Sequence, residues 1–188
     1  MVKPNSLAEH ILDAALEQAE SSSWDSVNLH IVAKTLNISL FDIKKTYPQK
    51  DDLVEAWFDR ADKAVLAEKA SEDFAALAAR ERVHQLMMLW FLSMKDHRRV
   101  TRQMLCYKLE PGHIHLQILG IMRISRTVQW LREAALLKTK NVHRIIEEIL
   151  LTRIYLISFA RWLFDDSKDS LRTEHYLQAA LKRVNFSS

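Results

Sequence analysis

The scarcity of helix-breaking residues is the strongest constraint on the fold of this chain. Its 188 residues contain only two glycines and three prolines, so long stretches have nothing that resists a helical backbone. A β-protein of this length would need many more turn residues. Hydrophobic residues make up 48% and charged residues 27%, which is ordinary for a globular protein. We therefore predict an all-α fold, with one sizeable core or a small head on a larger body.

The single cysteine, Cys106, excludes an internal disulfide and is typical of a reducing compartment. The first residues lack the charged and then apolar pattern of a secretion signal. Charged residues interrupt the apolar runs before the roughly 18 residues of a membrane-spanning helix. We therefore expect a cytoplasmic protein.

The first helix is predicted to begin at Ser6-x-x-Glu9, a spacing in which each side chain can satisfy a backbone N–H of the helix start. It should end at the serines of 21–23, and Trp24 should then fill the core. Its apolar face comprises Leu7, Ile11, Leu12, Ala15, Leu16 and Ala19.

A short helix, a turn and another short helix follow. Asn37-Ile38 marks the turn, and Ser39-x-x-Asp42 predicts a second capping box. Pro48 ends the third helix, because the residue before a proline is pushed out of the α region. The expected buried residues are Leu29, Val32, Ala33 and Leu36 on the second helix, Leu40, Ile43 and Tyr47 on the third, and Leu53, Val54, Trp57, Phe58, Ala61 and Val65 on a fourth helix over about 50–70.

Longer helices are predicted beyond residue 70. Pro111-Gly112 should separate two of them, and Asp165, Asp166 and Asp169 should cap and turn the chain into the last. The predicted ranges are 72–95, 97–109, 114–137, 141–164 and 171–185.

Charge is distributed unevenly along the chain. Residues 1–60 hold six Lys or Arg and ten Asp or Glu, although a DNA-binding head is usually basic. Within residues 28–50, however, four lysines accompany Asp42 alone. The surface that would meet DNA is therefore positive, although the same lysines would also suit the solvated face of a plain packing module. Asp42 could cap its helix or accept a hydrogen bond from cytosine N4.

Two stretches of the first sixty residues resemble the TetR family of bacterial transcriptional regulators: ILDAALEQAE and SVNLHIVAKTLNISLFDIKKTYPQKDDLVEAW. The family's pattern runs from an Ile-Ala pair through a small turn, Ser, a recognition helix and an aromatic to Lys-x-x-Leu. The corresponding positions here are Val32-Ala33, Asn37-Ile38, Ser39, 40–46, Tyr47 and Lys50 to Leu53. Where the family commonly has Gly-Thr-Leu-Tyr, this chain has Phe41-Asp42-Ile43-Lys44.

The resemblance implies a fold of about nine helices, with a three-helix head at 1–50, a connecting helix at about 50–70 and a ligand-binding and dimerisation body at 51–188. It implies a ligand-responsive regulator that binds palindromic operator DNA as a homodimer. The expected DNA-binding residues are Asn28, Ser39, Leu40, Phe41, Lys44, Lys45 and Lys50.

Methionines and aromatic rings are frequent in the body, where they suit either an apolar ligand pocket or a simple core. The candidate pocket residues are Met87, Trp90, Phe91, Met94, Met104, Tyr107, Met122, Trp130, Tyr155 and Phe159. The last two helices are apolar on more than one side and suit either a dimer interface or an internal core. The candidate interface residues are Ile146, Ile149, Leu150, Tyr176, Leu177, Ala180 and Leu181.

The segment WLFDDSKDSLRTEHYL near the C-terminus resembles a second group, a lipid-binding family of ubiquinone biosynthesis that shares the TetR fold. That resemblance implies an alternative function, binding of a lipid or isoprenoid without DNA, with contact to a membrane. Catalytic motifs are not evident, and we expect neither an enzyme nor a cofactor. The spacing His113-x-His115 is a weak metal signal beside no other ligand pair, so we expect no metal site.

Overall fold

The computed structural model describes residues 6–67, 71–108, 114–184 and 186, with the side chains of 114–121 left aside. Every regular element within these ranges is helical, which confirms the all-α prediction. The α-helices are α1 Leu7–Ser21, α2 Leu29–Leu36, α3 Leu40–Thr46, α4 Lys50–Ala67, α5 Glu72–Ala76, α6 Ala79–Leu92, α7 Arg98–Lys108, α8 Ile114–Ala134, α9 Asn141–Trp162 and α10 Leu171–Leu181. Short 3₁₀ helices lie at Lys95–His97 and Lys168–Ser170.

The chain divides into two compact units. The first comprises Met1–Arg60 with Asp96–Pro111, and the second comprises Ala61–Lys95 with Gly112–Ser188. The division falls within α4, and α7 belongs to the first unit. The assignment of DNA binding to a head at 1–50 and of ligand binding to 51–188 stays a prediction.

The first unit is built on contacts among α1, α2 and α3, with α7 packed on α1. Trp24 is fully buried, as predicted, and its backbone N–H donates to Oε1 of Gln103 at 2.8 Å. Nε1 of Trp57 donates to Oγ1 of Thr101 at 2.8 Å. Two residues of the predicted apolar faces, Leu7 and Leu40, are exposed, at 43% and 36%. Three more that were expected to be buried are only half-buried: Leu29, Leu36 and Tyr47.

The second unit has an aromatic core. The ring of Phe91 stacks on those of Phe159 and Trp162, with centroids 6.0 and 6.1 Å apart. Between α8 and α9, the buried guanidinium of Arg132 binds the buried carboxylate of Glu147 at 2.8 Å. This ion pair is satisfied on both sides, as a buried charge requires.

The predicted helix over 72–95 is wrong, because the chain leaves the helical conformation at Leu77 and Ala78, whose ψ angles are 152° and 145°. The guanidinium of Arg82 explains the break. It donates to the carbonyls of Ala75 and Leu77 and, from Nε, to the carbonyl of Ala135 at 2.7 Å. The last carbonyls of α5 are thus satisfied by a side chain instead of by further helix.

The entry to α10 is organised by Asp165, which confirms its predicted capping role. Its carboxylate accepts from the backbone N–H and hydroxyl of Ser167 and from those of Thr173, at 2.5–3.0 Å. Between Ser167 and Thr173, the residues Asp169 and Ser170 adopt left-handed backbone angles, with φ of 51° and 60°. The hydrogen bonds to Asp165 give the acidic segment here a structural explanation.

Two sequence features lie outside the described residues: the predicted break at Pro111-Gly112 and the side chains of His113 and His115. Within the described ranges, no cluster of three or more His, Cys, Asp or Glu side chains is placed to hold a metal ion. None of the helices in those ranges is long and apolar enough to cross a membrane.

Candidate nucleic-acid interface

Helices α2 and α3 form a helix-turn-helix held by local caps. Oδ1 of Asn28 accepts from the backbone N–H of His30 at 2.8 Å and starts α2. Asn37 ends α2 in the left-handed conformation, with φ of 53°, and its N–H reaches carbonyls of the last turn. Asparagine tolerates this conformation better than most residues, which explains its place in the turn.

The predicted capping box at the start of α3 is present. The hydroxyl of Ser39 accepts from the backbone N–H of Asp42 at 3.2 Å, while Oδ2 of Asp42 accepts from the N–H and hydroxyl of Ser39 at 3.0 and 2.6 Å. Hydrogen bonds from Ser39 lower the pKa of the Asp42 carboxyl. The acid is therefore an ionised cap and is turned back to its own helix.

The exposed side chains of α3 are apolar in its first turn and basic in its last. Phe41 is 73% exposed and Leu40 is 36% exposed. Lys44 and Lys45 follow at three and four positions after Phe41 and are also exposed. Residues at these spacings share a helix face, so Phe41, Lys44 and Lys45 lie side by side.

The opposite side of α3 is anchored. Ile43 is 1% exposed, and the hydroxyl of Tyr47 donates to the carbonyl of Ala8 at 3.0 Å. The face formed by Phe41, Lys44 and Lys45 is thus held by packing on α1 and not only by the short helix itself.

Lys50 lies at the start of α4, but its ammonium faces the protein. Its Nζ donates to the carbonyls of Trp24 and Asp25 at 2.8 and 3.1 Å and lies 5.2 Å from the centre of the Trp24 ring. Burial lowers the pKa of Lys50, opposed by the carboxylates of Asp25 and Asp51. Through these hydrogen bonds, Lys50 therefore stabilises the loop between α1 and α2. Its predicted phosphate contact remains a prediction.

The candidate pocket residues separate into three groups. Met104 and Tyr107 belong to the first unit, on α7, whereas Met122 and Trp130 are exposed on α8, at 63% and 46%. The others are buried in the second unit: Met87, Trp90, Phe91, Met94, Tyr155 and Phe159. Several of these rings contact one another, as the alternative of a simple core also predicts.

A buried polar network beside these rings was missed by the sequence reasoning. Asp62 accepts from Nε1 of Trp90 at 2.8 Å, from Nη2 of Arg123 at 2.8 Å and from the hydroxyl of Thr127 at 3.1 Å. Burial, followed by the charge of Asp62, raises the pKa of Tyr155 well above its usual value. The sequence contains a signal for this network, because the acidic residue Asp62 lies four residues after Phe58, on the buried face of α4.

A surface groove in the second unit lies elsewhere, along α6 and α10. None of the candidate pocket residues lines it. Its lining residues are Arg80, Glu81, His84, Gln85, Gln178, Leu181 and Lys182.

Helix α9 has one buried and one exposed apolar face. Of the candidate interface residues, Ile146, Ile149 and Leu150 are 50%, 63% and 37% exposed. Leu177 and Leu181 on α10 are instead buried within the chain, at 0% and 1%. Tyr176 and Ala180 are partly exposed, and Tyr176 carries the guanidinium of Arg161 above its ring.

A scan against protein-family models finds no match, and a search of curated proteins finds none either. Solved structures do match. The TetR transcriptional regulator from Nitrosomonas europaea ATCC 19718 is 43% identical, with a TM-score of 0.83, over 95% of this chain and 97% of that chain.

Two further matches are more distant in sequence. A TetR transcriptional regulator from Rhodococcus sp. RHA1 is 17% identical, with a TM-score of 0.70, over 95% of this chain and 96% of that chain. A regulatory protein in the tetR family from Rhodococcus RHA1 is 18% identical, with a TM-score of 0.55, over 98% of this chain and 100% of that chain. At these identities the two matches show the fold alone.

Proposed function

Because the chain belongs to the TetR family of transcriptional regulators, we propose that it binds operator DNA as a homodimer and responds to a small apolar ligand. The observation that carries the proposal is the exposed face of α3, where Phe41, Lys44 and Lys45 lie together. The opposite side of this helix is held against α1. In a helix-turn-helix the second helix enters the major groove while the first crosses the backbone. The lysines would neutralise phosphates, and the one acid of α3 is occupied in its cap.

The regulatory half of the proposal rests on the second unit. A ligand held among its buried aromatic residues would favour one packing of the helices over another and so change operator affinity. The exposed face of α9 would supply the two-fold contact that a palindromic operator requires. The residues of that face are Val142, Ile145, Ile146, Ile149 and Leu156.

The test is a fluorescence titration of the purified protein against duplex DNA from upstream of its own gene, at several salt concentrations. We expect binding that prefers this DNA over a scrambled duplex and that weakens as salt rises. Replacing Lys44 and Lys45 by alanine removes four cations from a dimer, so the slope of log K against log salt should fall by about 3 to 4.

A matched control separates the position of the charges from their number. Lys182 and Arg183 are exposed beyond α10, and replacing both by alanine removes the same charge. That variant should keep the wild-type slope. Equal affinity for scrambled DNA, or no binding at low salt, would contradict DNA-dependent regulation.

The lipid-binding alternative is supported by the exposed apolar side chains of Leu40 and Phe41, which could also enter the headgroup region of a membrane. The acidic segment that suggested it, in contrast, is explained by the capping role of Asp165. Native mass spectrometry distinguishes the two functions: co-purified isoprenoid together with absent DNA binding would favour the alternative.

A further inference from the structure

Phe41 has the most exposed large apolar side chain among the described residues, at 73%. It lies in the first turn of α3, on the same face as Lys44 and Lys45. In a docked helix-turn-helix, the early residues of the second helix meet the base edges. A large apolar group therefore occupies the position at which base sequence is read.

The polar side chains around Phe41 are committed to the helix itself. Ser39 and Asp42 hydrogen-bond to each other through the capping box. The hydroxyl of Thr46 donates to the carbonyl of Asp42 at 2.9 Å. The exposed side chains left on α3 are two apolar groups, Leu40 and Phe41, and two lysines suited to phosphates.

The major groove offers an apolar reader one distinctive group, the C5 methyl of thymine. The other base edges present donors and acceptors there, which a phenyl ring cannot satisfy. A lipid surface is a poorer occupant, because α3 has seven residues and membrane-surface helices bury a much longer apolar face. The adjacent pair of lysines also matches the phosphates that flank a base step.

We propose that Phe41 is a specificity-determining residue that packs on a thymine methyl group in each half-site of the operator. Lys44 and Lys45 hold the flanking phosphates and set the register. This inference rests on the proposed DNA binding and names the base that the recognition helix reads.

The test begins with a duplex selected by the full-length protein from a random pool. Each thymine of that duplex is then replaced in turn by deoxyuridine, which lacks only the methyl group and keeps every hydrogen-bonding group. At one position per half-site we expect wild-type affinity to fall about fourfold, the value of one buried methyl group. Replacing both symmetric positions should lower it about fifteenfold.

The variants identify the side chain that senses the methyl group. Phe41→Ala should bind thymine and deoxyuridine duplexes equally, while Phe41→Leu should retain part of the preference. Ile31→Ala is the matched control, because Ile31 is 52% exposed on α2 and lies off the recognition helix. It should keep the wild-type preference. Circular dichroism confirms that each variant is folded.

The outcomes separate the inference from the proposed function. Sequence-selective binding with no effect of deoxyuridine at any position overturns the role of Phe41 and leaves DNA binding standing. A preference that survives in Phe41→Ala does the same. Absent DNA binding, together with Phe41-dependent binding to vesicles of phosphatidylcholine and phosphatidylglycerol, overturns both and favours a lipid surface.

Discussion

The hydrogen bonds that a carboxylate accepts set the pKa of individual carboxyl groups in this protein. At Asp165, burial acts to raise the pKa, but the hydrogen bonds donated by Ser167 and Thr173 outweigh it and lower the pKa to about 2. The ordinary value is 3.8, and the difference corresponds to roughly 2 kcal/mol of folding free energy. Asp42 shows the same effect, because hydrogen bonds from Ser39 lower the pKa of its carboxyl.

Replacing Asp165 with asparagine should lower the free energy of unfolding at pH 7 by about 1–2 kcal/mol, because one amide group cannot accept all four hydrogen bonds. The folded pKa is depressed, so this contribution is complete above the unfolded pKa of 3.8 and is lost as the pH falls towards about 2. Urea unfolding between pH 7 and pH 3 should therefore show wild type and variant converging at the acid end.

Asp166→Asn is the control, since Asp166 is exposed next to Asp165. It should change the unfolding free energy by less than about 0.5 kcal/mol. An equal loss in both variants, or a difference that persists undiminished at pH 3, would contradict the capping account.

At the scale of the helix, the interruption between α5 and α6 depends on a contact that is distant in sequence. Arg82 reaches the carbonyls that end α5 and also that of Ala135. The N-terminal end of α6 is supported by Glu81, whose carboxylate accepts from the N–H of Ala78 at 3.2 Å.

A proline at position 78 tests this interruption. Ala78 is exposed with φ of −60°, and Leu77 has the extended angles that a residue before proline requires. Ala78→Pro fits these backbone angles and removes only the exposed hydrogen bond from the Ala78 N–H to Glu81, so it should cost about 1 kcal/mol. Gln85→Pro, on the exposed side of α6, should cost about 3 kcal/mol or more. Chemical denaturation would contradict the break if the two prolines cost the same.

Local signals explain which elements could be predicted from the sequence. The capping box of α3 involves residues three positions apart, and the buried faces of α1 and α4 follow the helical repeat. The break near residue 77 depends on Ala135, and the position of the Lys50 ammonium depends on carbonyls about 25 residues away. Sequence periodicity has no information about such contacts, so the break was missed and Lys50 was interpreted from its charge alone.

At the scale of the whole molecule, the proposed homodimer depends on α9. Ile149 is 63% exposed, and Val142, Ile145 and Ile146 on the same face are also exposed and apolar. A folded monomer seldom exposes such a continuous apolar face without a partner.

Ile149→Glu should convert the protein to a monomer and weaken operator affinity, because a buried unpaired charge at the two-fold contact is costly. Sedimentation velocity measures the change. Leu66→Glu is the matched control, since Leu66 is 45% exposed on α4 and should tolerate the same change without loss of the dimer. A wild-type protein that sediments as a monomer at micromolar concentration would contradict the proposed assembly.

The first unit is assembled from two separate parts of the chain, and this has a consequence for its synthesis. Trp57 and Trp24 obtain their polar partners from Thr101 and Gln103 on α7. On the ribosome, roughly 40 further residues must be translated after α4 before these partners emerge, a delay of roughly two to eight seconds at about 5–20 residues per second. During that interval the nascent first unit lacks the partners of the Trp57 indole N–H and the Trp24 backbone N–H, so we expect it to complete its packing only after α7 has been synthesised.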